Sequence, residues 1–479
     1  MEYNVLDPPF SAVPDNKSAA TFNTAAIKQA IAISATSAKP GPVVIPMTQD
    51  GIYVNPGQLQ LNTPGAAMYG HSGMGASVRG AMASKLIGVG PGSLLTLTSI
   101  GQNVENLSLY QDEFGVMNGD DALIALTGDR VTQTTLQNLF LGTPHIGISI
   151  KIPANYLGEF WLRNIQIQGQ IGYAASVISA GNATVDLSHV ISSADISNGK
   201  PQPQFGHKVL SCGEFAMGDR CDTICCGNCL ALVPGHDGES GQYVNCVMVT
   251  DSLLDSGNGQ GCLLIWPQNK GFLSTLRFTK LWCSSPGNFG GTVLTNGIFM
   301  DGSNSTPDYF PAIGDVKFIG GESKSFCGNM GLYARSVDGL SIQSCTFGDN
   351  LDGIHIAPGC RDVLISGCHS GAYVPATHAP NANNTNCGIY IEPTTTSFTI
   401  DGNFCNGNDG LGIFNANRPR PNQIITPYNQ GTIGRSMPSR RASSPRKLLA
   451  NSPAFRNAVQ AGWTDPRLDP RLIRTRRLH

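Results

Sequence analysis

Charge is scarce in this chain: Asp, Glu, Lys and Arg make up only 13% of its 479 residues, and aromatic residues 7%. No apolar run approaches the roughly 18 residues that a membrane-crossing helix needs, so no membrane span is expected. The opening MEYNVLDPPF has neither a basic n-region nor an apolar h-region, and a classical secretory signal is not expected. Cysteine is missing before Cys212 and after Cys405. The charge that exists is unevenly placed. Arg435–His479 holds eleven basic and two acidic residues, +9, which leaves −11 for the remainder of a chain whose total is −2. An acidic body argues against a nucleic-acid groove there, and the basic end is expected to be a solvated, disordered tail.

What the chain does have is glycine, 57 residues of it, and a repeat. GLYA at Gly331–Ala334, GIHI at Gly353–Ile356, GIYI at Gly388–Ile391 and GIF at Gly412–Phe414 share one form. A second strand follows the first three, with Ile342, Ile365 and Ile400 in the same place. The glycines step by 22, 35 and 24 residues and the second strands by 23 and 35, so the extra dozen residues are one insertion, placed at His378–Asn386. Short strands repeating at this period imply a solenoid whose coils bury their apolar faces on one another. Asn106-Leu-Ser-Leu109, Asn138-Leu-Phe-Leu141 and Asn164-Ile-Gln-Ile167 are expected to be earlier coils of the same stack. The Ser- and Asn-rich stretch from Ala174 to Lys208 is expected to leave it. Near the start, Phe22, Ala26, Ile27, Ala30, Ile31 and Ile33 form a helical stripe that Thr21 or Asn23 would cap.

All fourteen cysteines lie in the coils. Cys345 and Cys368 follow Ile342 and Ile365 by three residues, with Asn403 in that place one coil on. Such a column suits small buried thiols. For Cys221, Cys225, Cys226 and Cys229, zinc, disulfides and packed thiols are all open, the compact spacing favouring thiols over a structural zinc site.

The opening YNVLD (Tyr3–Asp7), Asp15, Thr24-Ala-Ala-Ile27 with Ala30-Ile31, and Val43-Val-Ile-Pro46 before Tyr53-Val54 resemble the start of pectate-lyase-superfamily proteins. Phage tailspikes and glycoside-hydrolase-28-like proteins belong to that group. Phe22 and Asn23 replace the aspartate pair usual before the helix threonine. The resemblance implies an all-β fold: a single-stranded right-handed parallel β-helix with a short N-terminal capping helix. Residues 1–84 would form the cap and lead-in strands, 85–430 the β-helix and 431–479 the tail. It also implies a carbohydrate-active protein that binds and cleaves a polysaccharide as a glycoside hydrolase or lyase. A non-catalytic adhesive rod is the alternative. Tailspike relatives imply a homotrimer, and a lyase would call for Ca²⁺; no other cofactor is expected. Location stays open between virion-associated, extracellular by a non-classical route and cytoplasmic.

Asn350-Leu-Asp352-Gly353-Ile resembles the NTDGI motif of polygalacturonases. The aspartate pair of the next coil is replaced by Thr385-Asn386-Cys387-Gly388, Asp409-Gly410 stands in place of His-Gly, and no Arg-Ile-Lys follows. Ordinary polygalacturonase activity is therefore not expected, and turn chemistry alone accounts for an Asn-x-Asp-Gly run. Glycosidic hydrolysis needs two carboxyl groups with separated pKa values. Asp352, Glu322, Asp349, Asp409 and Glu392 are the candidates, Glu322 expected one coil before Asp352 and Glu392 one coil after. His355, opposite in parity to Ile354 and Ile356, is expected outward beside Asp352. Tyr333 and Tyr390 are candidates for sugar contact.

Overall fold

The computed structural model describes residues 2–36, 41–72, 82–195, 202–257, 259–284, 295–324, 329–371, 384–418 and 420–434. Within them the chain winds as a right-handed parallel β-helix. A typical coil holds three short strands, as in Leu332–Arg335, Asp338–Gln343 and Thr346–Gly348. The first belongs to a 14-stranded sheet in which every pairing is parallel; the other two lie in a 25-stranded sheet, parallel except where Met47–Thr48 meets Ala83–Ser84.

The corner between the two strands of the larger sheet is a single residue in left-handed conformation. Asn106, Asn138 and Asn164 have φ of 56°, 53° and 51°. Asparagine tolerates that region because its short amide bonds locally. Here the amides bond to each other: Asn138 Nδ2 donates to Asn106 Oδ1 at 3.0 Å, and Asn164 Nδ2 to Asn138 Oδ1 at 2.8 Å. The Asn-apolar-x-apolar fragments are thus successive coils.

Ile342, Ile365 and Ile400 pair directly, as do Leu332, Ile354, Ile389 and Ile413. All seven are fully buried on the axis, and each such side chain stabilises the fold by roughly 1.5–3 kcal/mol relative to exposure. Gly353 permits close packing inside its strand: a Cβ there would collide with Ser370 Oγ and lie 2.8 Å from the Gly388 carbonyl.

The stretch from Ala174 does not leave the coils. Ala174–Ser179, Thr184–Ala194 and Phe205–Ser211 are regular strands: Val185, Leu187, Val190 and, in step with them, Ser192 are buried, while Asp186, Ser188 and Ile191 between them are half-buried on the opposite side. Residues 196–201 lie outside the described residues, as do 435–479, which hold the basic tail, and most of the expected insertion.

A 3-10 turn at Lys17–Ala19 leads into the helix Ala20–Thr36, which covers the first coil. Asn16, not Thr21 or Asn23, is the cap, its side chain accepting from Ser18 N at 3.0 Å. Asn23 is buried and ties the helix to the Val13 and Tyr53 carbonyls at 2.9 and 3.1 Å. Phe22 is exposed and leaves the apolar stripe to its neighbours. No described helix is long and apolar enough to cross a membrane.

The thiols pack as a lining. Cys368 Sγ donates to the Ile342 carbonyl, and Cys221 Sγ to those of Gly218 and Leu187. Cys221, Cys225, Cys226 and Cys229 form no disulfide. Among the described residues no three His, Cys, Asp or Glu groups are placed to hold a metal.

Candidate functional site

Alternation on the strand Asp352–Ile356 turns Ile354 and Ile356 to the axis and His355 to the opposite face. Parallel register then fixes its neighbours. Tyr333 lies one rung before His355, and Tyr390 and Phe414 one and two rungs after. The rings form a column on the outer face of the smaller sheet. Tyr333 and Tyr390 flank His355 with centroids at 5.5 and 4.7 Å, the second pair stacked at 13°. Phe299 extends the column behind Tyr333 at 5.2 Å, and Phe414 beyond Tyr390 at 4.8 Å.

Both edges of the His355 imidazole meet carboxylates. Nδ1 lies 2.9 Å from Asp352 Oδ2, and Nε2 lies 2.7 Å from Glu392 Oε1. Asp352 is closed to solvent and its other oxygen is also used: Oδ1 accepts from Asn386 Nδ2 at 2.7 Å and from the Cys387 N–H at 3.0 Å. Glu392 is the open end, its side chain 34% exposed against 3% for Asp352. Burial pulls the His355 pKa down, but hydrogen bonds and charge from Asp352 and Glu392 outweigh it and push it up to about 9. At neutral pH His355 is therefore an imidazolium between two acceptors, Asp352 fixing one side and Glu392 offering a free oxygen to the surface. Tyr390 is raised, by burial first and then by the negative charge of Glu392 and Asp352.

The structure brings Asp352, His355, Glu392, Tyr333 and Tyr390 together and sets Glu322 apart. Glu322 belongs to the strand Glu322–Lys324 of the larger sheet, between Trp282–Ser284 and Thr346–Gly348, and pairs with Lys324 at 3.0 Å. It lies four strands earlier in the winding than Asp352, one coil and one strand, hence on another face. Asp349 sits in a turn with φ 57°. Asp409 is exposed in a later turn, its N–H donating to the Asn384 carbonyl at 3.1 Å. Asn350 does belong to turn chemistry: its Nδ2 donates to Asn384 Oδ1 at 3.3 Å, and Asn384 Nδ2 to Asn408 Oδ1 at 3.0 Å.

Glu392 opens a second outward column. The residues following the paired Ile265, Met300, Ala334, Ile356 and Ile391 are Trp266, Asp301, Arg335, Ala357 and Glu392. This column shares no motif; only its repeat position, one residue after each paired inward residue, marks it in the sequence. Arg335 Nη1 lies 3.9 Å from Asp301 Oδ2, with the Arg335 side chain 41% exposed.

No family model matches the chain, and no curated protein matches it. Among solved structures it is similar to the catalytic unit of a GH87 α-1,3-glucanase from Streptomyces thermodiastaticus, at 12% identity, over 90% of this chain and 69% of that one, with a TM-score of 0.47. It is similar to the Dettilon tailspike protein at 11% identity, over 88% of this chain and 68% of that one, TM-score 0.47. It is also similar to the A-module of a mannuronan C-5 epimerase from Azotobacter vinelandii at 12% identity, over 91% and 100% of the two chains, TM-score 0.37.

Proposed function

We propose that this β-helix binds a polysaccharide on the outer face of its smaller sheet and cleaves it beside Glu392. The observation that carries this is the Asp352–His355–Glu392 chain of hydrogen bonds, set within a column of aromatic rings and open to solvent only at Glu392. Any glycosidic cleavage requires a group that moves a proton at the scissile bond, which in hydrolysis is the first of two carboxyls. Glu392 is that group. His355 holds its carboxyl by a charge-assisted bond, and Asp352 holds His355. Asp352 and His355 are thus positioning residues, while the half-buried Tyr390 offers its ring edge and hydroxyl to a sugar and Tyr333, buried between Phe299 and His355, packs the column behind it.

A polysaccharide panel assayed for reducing ends, with ultraviolet absorbance of unsaturated ends separating elimination from hydrolysis, tests the proposal. Glu392→Gln should lower the rate about 10²–10⁴-fold, the usual worth of a positioned acid or base. Asp352→Asn should lower it less and shift its pH profile. Unchanged cleavage by Glu392→Gln would remove Glu392 from the chemistry.

The second reading is a non-catalytic rod. Its support is the burial of Asp352 and His355, whose bonds tie adjacent rungs together whether or not a substrate binds. On that reading no panel member is cleaved, and Glu392→Gln changes stability alone.

A further inference from the structure

The same outer face carries a second polar cluster that the Glu392 site does not use. Lys208 points outward from the strand Phe205–Ser211, yet its side chain is only 2% exposed. Its Nζ donates to Tyr173 Oη at 2.8 Å and to Asp237 Oδ1 at 2.6 Å, and lies 5.4 and 5.2 Å from the Tyr173 and Phe205 ring centres. The ammonium is buried under the surface groups and fixes them. Asp237 stays open, its side chain 45% exposed, and His236 Nδ1 lies 3.1 Å from Asp237 Oδ1. Bonds from His236 and Lys208 outweigh burial and hold the Asp237 carboxyl down at about 2. The His236 ring meets Trp266 edge-on at 6.2 Å, and Trp266 is itself partly exposed.

We infer that Trp266, His236 and Asp237, supported from beneath by Lys208, form a second glycan-binding subsite that takes an uncharged sugar ring. Trp266 lies in the Glu392 column, four rungs away, about 19 Å at ~4.8 Å per rung. A chain touching both runs along the solenoid axis. The ligand is uncharged because Asp237 and Glu392 expose acceptor carboxylates at the two ends of the track, while Lys208 is buried against Asp237 and Arg335, between the ends, lies 3.9 Å from Asp301. Carboxylates accept from sugar hydroxyls and repel a uronate. Trp266 offers an apolar face beside a wet edge, the arrangement that suits a pyranose.

This subsite deepens the proposed function but is testable without turnover. Full-length Glu392→Gln protein would be run by affinity electrophoresis through gels holding dextran, laminarin, hydroxyethyl cellulose, galactomannan or polygalacturonate, one at a time. At least one neutral gel should retard it and polygalacturonate should not. Adding Trp266→Ala should weaken retardation about tenfold, while Trp266→Phe, which keeps an aromatic ring and guards against misfolding, should retain most of it. Retardation unchanged in Trp266→Ala, by polygalacturonate alone or in no gel overturns the subsite. Cleavage by the parent chain with binding indifferent to Trp266 overturns the subsite and leaves Glu392 standing. Binding that depends on Trp266 without cleavage by the parent chain does the reverse.

Discussion

Replacing His355 by glutamine should remove a pH-dependent part of the fold's stability whose size follows from its surroundings. Its pKa is about 9 in the folded chain and about 6.5 when exposed. The folded value is the higher one, so the folded state holds the proton more tightly. The contribution is complete below about pH 6.5, declines as pH rises and is gone above about 9. A difference of about 2.5 units corresponds to about 3 kcal/mol at ~1.36 kcal/mol per unit. The thiols also titrate toward alkaline pH, so the parent chain alone is not diagnostic. The difference between parent and His355→Gln cancels them. Urea unfolding of both proteins at pH 6 and pH 10 should show their gap closing by about 3 kcal/mol at the higher pH. A gap independent of pH would refute an imidazolium held between Asp352 and Glu392.

Gly353→Ala should destabilise the fold by about 1–3 kcal/mol in thermal unfolding, since its Cβ would collide with Ser370 Oγ and the Gly388 carbonyl. Ser370→Gly in the same chain should restore part of the loss, the carbonyl contact remaining. Asn138→Gly keeps the left-handed corner but breaks both amide bonds of its ladder, and should cost about 1–3 kcal/mol in urea. Lys208→Met should cost about 1–3 kcal/mol, since the Asp237 it leaves behind is half-exposed, with the Asp237 carboxyl, followed by NMR, rising from about 2 as one of its two hydrogen-bonding partners is lost.

Most of the winding was legible because a coil repeats its chemistry at each corner and on each inward position. Ile342, Ile365 and Ile400, the glycines before Leu332, Ile354 and Ile389, and the asparagines at 106, 138 and 164 each mark one place in the coil. Where those markers change, the repeat is no longer visible in the residue types. Between Ala174 and Lys208 the corner asparagine becomes His189, φ 58°, and polar residues take inward places, Ser176, Ser192 and His207 all being buried. The inward alternation of Val185, Leu187 and Val190 persisted all the same, and it was the better signal. The Lys208 cluster was hidden by that misreading.

The candidate site shows the same logic at finer grain. Parity along one strand was enough to put His355 outside beside Asp352, and repeat position was enough to stack Tyr333 and Tyr390 on it. Counting acids by coil was not enough, because a coil has three faces. Glu322 and Glu392 are both within about one coil of Asp352, yet Glu322 lies on the larger sheet and Glu392 on the smaller. What separates them is position within the coil: Glu392 directly follows the inward residue Ile391, the partner of Ile356, whereas Glu322 begins its coil's third strand. Turn lengths then decide which stretch of the face a long ligand can reach. Ten residues separate Leu232 from Tyr243 and eleven separate Asp301 from Ile313, but only two separate Arg335 from Asp338 and four Ile356 from Arg361. One of the long turns carries His236 and Asp237, whereas the turns that follow Arg335 and Ile356 are short. On the proposed reading a neutral polymer bridges Trp266 and Glu392 across four rungs, so a chain too short to span them should bind this face more weakly than one that reaches both.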